Sequence, residues 1–158
     1  MTDQITFTTR PRLAWRVTIR NYDNSEIIYG KNEHKVRAKA LNYLCNDSDV
    51  NLSDITATRE YSADVQLPML DPIVADMSPE EKHCLLHSYG YSKGMDPTKA
   101  GYRDYFYTRL DDIPLVALTE RKLMKPMKGD QWGENMTYFV LTPKGKQVAL
   151  SMIPAYEE

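Results

Sequence analysis

The sequence predicts an α+β protein of two modules in tandem, a β-β-α-β module over residues 1–62 and a helix-and-hairpin module over residues 78–158, with a Pro-containing connector at 63–77. Three observations carry this. Leu13 to Arg20 alternates apolar and polar side chains with the period of a half-buried strand. Ser78-Pro79-Glu80-Glu81 is a helix start with a capping residue, a first-turn proline and an acid able to close a capping box. Asp111 to Leu150 reads as helix, strand, polar hairpin tip, strand, helix.

In the first module, Ile5 to Thr9 alternates and is expected to be a short edge strand. Leu13, Trp15, Val17 and Ile19 should face one way, and Arg16, Thr18 and Arg20 the other. Asn21 to Asn24 is turn chemistry, and Ser25 to Tyr29 returns as a strand ended by Gly30. Asn32 is placed to cap a helix to about Cys45, with Val36, Ala40, Tyr43 and Leu44 as its buried stripe. Asp54 to Tyr61 reads as a further strand. The helix should cover the sheet face that carries Trp15, and a Leu13–Ile19 strand paired on one side only would leave an open edge.

The connector contains Pro68 and Pro72, but Leu67, Met69, Leu70, Ile73 and Val74 are too apolar for a free linker, so it should pack against a module. The helix opened by Ser78 should stop at Gly90. Tyr102 to Arg109 fits a short strand or an irregular helix. In the next helix, Asp111 or Asp112 is the expected cap, Pro114 sits in the first turn, and Leu115, Leu118 and Lys122 share a side with Leu123 beside them. Gly129 and Gly133 flank the hairpin tip, Tyr138 to Leu141 is a strand, and Thr142-Pro143 opens the closing helix.

Helix, polar-tipped hairpin and a helix opened by Leu-Thr-Pro-x-Gly is the order of a winged helix. Glu120-Arg121-Lys122-Leu123-Met124 followed by Tyr138-Phe139-Val140-Leu141-Thr142-Pro143-Lys144-Gly145, with Glu80 to His87 and Tyr102 to Phe106, resembles small winged-helix-like proteins encoded in phages and prophages. The resemblance spans roughly residues 78–150. It implies a C-terminal winged-helix-like module in a phage setting, and no mechanism.

At 42% apolar residues the chain has the composition of a globular protein, and no apolar run approaches the ~20 residues of a membrane span. Met1 to Gln4 lacks the build of a secretory signal, and Cys45 and Cys84 make no disulfide framework, so cytoplasmic residence is expected. Net charge is −2, with residues 1–62 at +1 and 63–158 at −3, which argues against coating nucleic acid through bulk charge.

Candidate chemistry is sparse. Glu80, His83 and His87 share a helix face beside Cys84, a spacing that can meet a divalent metal, yet no further Cys/His pair supplies the remaining ligands, and polar surface positions explain the residues equally well. No cofactor, metal site or catalytic constellation is expected, and the protein is read as non-enzymatic. A partner protein, in this setting a host defence component among others, would meet the aromatics and arginines Tyr102, Arg103, Tyr105, Tyr107, Arg109 and Trp132. The alternative is a winged-helix DNA-binding transcriptional regulator holding phosphate through Lys122, Lys125 and Lys128, with Arg16 and Arg20 on the N-terminal sheet. The Asp111-Asp112 opening of the would-be recognition helix favours protein over duplex, because paired carboxylates repel phosphate. Self-association stays open.

Overall fold

The computed structural model describes residues 9–44, 49–127 and 135–157. The fold is mixed α+β, with four helices and eight strands in open sheets among the described residues. Two compact units divide the chain at Leu67/Pro68.

The first unit contains β1 (Thr9–Arg12), β2 (Ala14–Ile19), β3 (Ser25–Tyr29), α1 (Glu33–Leu44), β4 (Ile55–Arg59) and β5 (Val65–Pro68). β2 is the centre of an antiparallel sheet of order β3-β2-β4, with Trp15 opposite Ile28 and Arg59. β4 returns after α1 and pairs with the other side of β2, so the Leu13–Ile19 strand is paired on both sides. Asn32 Oδ1 accepts the Lys35 N–H at 3.0 Å and starts α1. Val17, Ile28, Val36, Ala40, Ile55 and Ala57 form the core, with Trp15 and Ile19 packed against it, so alternation along β2 does set the covered face. Tyr43 departs from the expected stripe. It is 57% exposed in the last turn, where the Lys39 ammonium lies 5.6 Å from its ring centroid and gives the ring a polar surface contact. The side chain of Leu44 and all of Cys45 lie outside the described residues, as does the expected strand before Thr9.

Arg59 ties β4 to the start of β2. Its guanidinium makes two bonds to Asp64, at 3.0 and 2.8 Å, and donates to Ala14 O, while Asp64 accepts the Ala14 N–H at 2.7 Å. The Arg59 hydrogen bonds hold the Asp64 carboxyl below its ordinary range. The 63–77 segment packs only in part: Val65–Pro68 pairs with β1 and buries Leu67, and Pro72–Asp76 is a 3-10 turn that delivers Val74 and Met77 to the core of the second unit, while Met69 and Leu70 between them are exposed.

The second unit contains α2 (Pro79–Tyr89), β6 (Tyr105–Arg109), α3 (Ile113–Glu120), β7 (Met124–Pro126), β8 (Met136–Leu141) and α4 (Pro143–Met152). Both halves of the α2 capping box form, Ser78 Oγ accepting the Glu81 N–H at 3.1 Å and Glu81 Oε2 accepting the Ser78 N–H at 2.6 Å. Gly90, at φ 81°, ends the helix with the Tyr91 N–H returned to Leu86 O at 3.0 Å. Tyr102 to Arg109, open between strand and helix on sequence grounds, is a strand from Tyr105 onward.

Two side chains behave differently from the sequence reading. Asp112 occupies the position before α3, yet its carboxylate makes no cap bond and accepts from Thr108 Oγ1 at 3.0 Å instead. Leu115 and Leu118 are fully buried, but Lys122 is not on their face. α3 stops at Glu120, and Lys122 takes the left-handed conformation (φ 62°) that lets the Lys122 and Leu123 N–H groups close onto Thr119 O and Leu118 O. Lys122 is thereby part of the helix terminator, and Leu123 is driven into the core.

The Leu-Thr-Pro-x-Gly segment is explained by what it touches. Thr142 Oγ1 accepts the Gly145 N–H at 3.0 Å and donates to Lys122 O at 2.7 Å, while the Thr142 N–H reaches Leu123 O at 3.0 Å. A β-carbon at Gly145 would lie 1.9 Å from Leu123 O. No side chain fits there, because the atom it meets is backbone. Glu81, buried in the first turn of α2, adds a second tie by accepting from Arg121 Nε at 2.8 Å, and Arg121 also donates to Asp76 O. Burial alone would raise the Glu81 carboxyl, but the bonds from Arg121 and Ser78 outweigh it and leave it below the ordinary value.

Gly145→Ala should cost about 3 kcal/mol, the upper range for over-packing, read as a lower urea midpoint at unchanged slope, whereas Lys144→Ala in the same exposed turn should leave the midpoint within error.

Candidate aromatic sheet face

The sheet of the second unit has order β6-β8-β7 and is antiparallel throughout, with Phe106 opposite Phe139, Tyr107 opposite Tyr138, and Lys125 opposite Val140. Alternation splits its aromatics by chemistry. Phe139 is buried and Phe106 packs against the core, while Tyr105, Tyr107 and Tyr138 are 40%, 36% and 40% exposed on the other face. The Tyr138 ring sits edge-on to Tyr105 at 5.4 Å and tilted against Tyr107 at 4.6 Å. These geometries are favourable for aromatic pairs and hold the rings as one surface.

Cations flank that surface. The Arg103 guanidinium stacks over the Tyr105 ring at 4.5 Å and donates through Nε to Tyr105 O at 2.9 Å. Lys125 is exposed on the same face, one strand beyond Val140. Arg109 is held in a two-point pair by Asp111, at 2.9 and 3.0 Å, and this pairing holds the Asp111 carboxyl low. Met127, 52% exposed, follows β7 with its N–H on Tyr138 O.

Of the residues singled out for partner binding, Tyr105, Tyr107, Arg103 and Arg109 are brought together here. Tyr102 is apart from the ring cluster, its ring lying where a Gly90 side chain would be. Trp132 lies outside the described residues, as do Lys128 and the hairpin tip. Sequence reasoning missed Tyr138. The signal was the alternation itself: Tyr-Phe-Tyr at 105–107 and Tyr-Phe at 138–139 each send the hydroxyl-bearing ring outward, but only the register sets them side by side.

The residues of the nucleic-acid alternative are divided between the two units, and those of the first are already engaged. Arg16 pairs with Glu60 at 2.8 Å, and Arg20 lies 3.7 Å from Asp54. Lys122 and Lys125 are exposed. The outward side of α3 carries Ile113 (82% exposed), Val116 and Glu120, with no cation among them.

Groups able to do chemistry are restrained. Burial, followed by the nearby Asp112 and Glu80 charges, pushes the Cys84 thiol up to about 11, away from the thiolate a nucleophile needs. His83 and His87 stack with centroids 6.0 Å apart, and His87 Nε2 is 3.2 Å from Arg103 Nη1. Burial, then the Arg103 and His83 charges, lowers the His87 pKa. Among the described residues no group of three or more His, Cys, Asp or Glu side chains is arranged to hold a metal ion, and no helix is long and apolar enough to cross a membrane. Comparison with protein-family models, curated proteins and solved structures produced no match.

Because the folded protein disfavours His87 protonation, its contribution destabilises the fold as pH falls through the ordinary imidazole range and is absent well above it. Arg103→Gln should move the His87 midpoint upward toward the ordinary histidine value, measured by NMR titration of the ring protons; an unchanged midpoint would assign the depression to burial and His83.

Proposed function

We propose that this is a non-enzymatic accessory protein that binds a macromolecular partner, a protein in preference to nucleic acid, through the Tyr105–Tyr107–Tyr138 face. The observation that carries the reading is that exposed, mutually packed tyrosine cluster, flanked by Arg103 and Lys125. Tyrosine and arginine are among the residues most enriched where interface energy concentrates: tyrosine offers large contact area with a polar tip and little rotamer entropy to lose, and arginine a planar, multi-donor fork. The apolar outward side of α3, with Ile113 and Val116 exposed and Glu120 beyond, supports a polypeptide partner over duplex DNA, which would need cations at that place. The raised Cys84 thiol and the engaged His87 support a role without covalent chemistry.

The second unit is best read as winged-helix-like, on the order α2, β6, α3, β7, β8 and the α4 that closes it. Together with the residue resemblance over 78–150, this makes a phage or prophage accessory protein the preferred setting, with a host defence component as one partner of suitable kind. The rival within the same architecture is a DNA-binding regulator, favoured by the exposed Lys122 and Lys125.

Capture from host lysate with the wild type and with Tyr105→Ala/Tyr138→Ala should recover a stoichiometric protein with the first and lose it with the second. Duplex binding that weakens steeply with salt, as counterion release demands, and that disappears in Lys122→Ala/Lys125→Ala but survives the tyrosine changes, would replace this reading with the regulator.

A further inference from the structure

β6 is an edge strand: among the described residues no strand pairs with its free side, where part of its backbone is unused. Leu141 N–H donates to Asp104 O at 2.8 Å and Leu110 N–H to Asn135 O at 2.7 Å. With the register of β6 on β8, these bonds fix the alternation: residues 104, 106, 108 and 110 turn their backbone groups toward β8. Tyr105, Tyr107 and Arg109 consequently turn theirs to the open side. Tyr105 O there accepts from Arg103, and Arg109 O accepts the Asp112 N–H at 3.1 Å. The opposite edge, β7, is short and carries Lys125 and Pro126, residues that discourage strand addition; β6 contains no lysine or proline.

We propose that β6 is the interface of a symmetric homodimer, in which the β6 strands of two copies pair antiparallel about a two-fold axis at Tyr107. The occupant is argued from the strand's own charge order. Antiparallel pairing about residue 107 sets Tyr107 against its own copy and Tyr105 against the second copy's Arg109, and brings Arg103, just before the strand, toward the second copy's Asp111 in the turn just after it. Each cation meets an aromatic ring or an anion, and each contact occurs twice, as a two-fold interface requires. The charges are already in place. Arg103 lies on the Tyr105 ring and Asp111 holds Arg109, so both ends of the strand carry their charge beside the face the rings occupy. The parity is also right. Tyr105, Tyr107 and Arg109 all turn their N–H groups to the edge, and Tyr107 turns its carbonyl there as well, so the Tyr107 pair on the axis is the one that exchanges both N–H···O bonds. The product is a six-stranded sheet in which the tyrosine face runs across the axis. This goes beyond the reading of that face as a partner site and stands whether or not an outside partner binds it.

The test is molecular mass by light scattering over a wide range of protein concentration, on wild type, Tyr107→Pro, Arg103→Asp and Arg103→Asp/Asp111→Arg. Tyr107→Pro removes an N–H that points away from β8, so the unit tolerates it while the edge loses its central bond. Expected are twice the chain mass of 18.3 kDa for the wild type, the single-chain mass for Tyr107→Pro with an unchanged far-UV circular dichroism spectrum, loss of the dimer in Arg103→Asp, and its return in the charge-exchanged double variant. Should Tyr107→Pro fail to fold, the charge pair decides: a dimer lost on Arg103→Asp and restored by exchange supports the interface. A wild type of single-chain mass at every concentration overturns the proposal, as does a dimer that persists in both Tyr107→Pro and Arg103→Asp.

Discussion

The second unit depends on a backbone-to-backbone approach, the first turn of α4 pressed onto the chain that leaves α3. Thr142 and Gly145 make it. The hydroxyl of Thr142 serves at once as cap for α4 and as donor to Lys122 O, and Gly145 lies where no β-carbon would fit against Leu123 O. Because Lys122 must adopt a positive φ to end α3, the carbonyls that Thr142 reads are presented only when the helix has terminated correctly. Helix end, strand start and closing helix are thus one coupled structure. Leu118, Leu123, Phe139 and Val148, drawn from α3, the turn after it, β8 and α4, are buried together as a result.

That coupling gives the sheet a rigid inner face, and the outer face inherits its order. Phe139 and Leu141 are committed to the core, so Tyr138 and Val140 must face outward, and the register carries Tyr105 and Tyr107 alongside. A hydroxyl-bearing ring suits that half-wet position. The same alternation that builds the core therefore produces an exposed aromatic surface, and the rings brace one another. Arg103, which stacks on Tyr105 while meeting His87, joins this surface to the side chains of α2.

In the first unit the charged side chains are largely spent on structure. Arg59 and Asp64 close the sheet near Ala14, Arg16 is taken by Glu60, and Arg20 sits near Asp54. A sheet face that looks basic in sequence is close to neutral once its partners are counted. Exposed pairs of this kind add little to stability, but they lower the attraction such a face would have for phosphate.

Local features were legible in the sequence because their causes are local. The Ser78 and Thr142 caps, the Gly90 stop, and the alternation that buries Val17 and exposes Arg16 rest on residues within a turn or a strand of one another. The mixed α+β class followed from them. Tertiary structure alone decided that Tyr138 stands beside Tyr105 and Tyr107, that residues 105–109 are a strand, that Lys122 is a helix terminator, and that the Asp112 carboxylate turns to Thr108. Each of these depends on register or on a close approach between segments distant in sequence. Such contacts are set by the packing of the whole unit, which the spacing of side chains along one element does not encode.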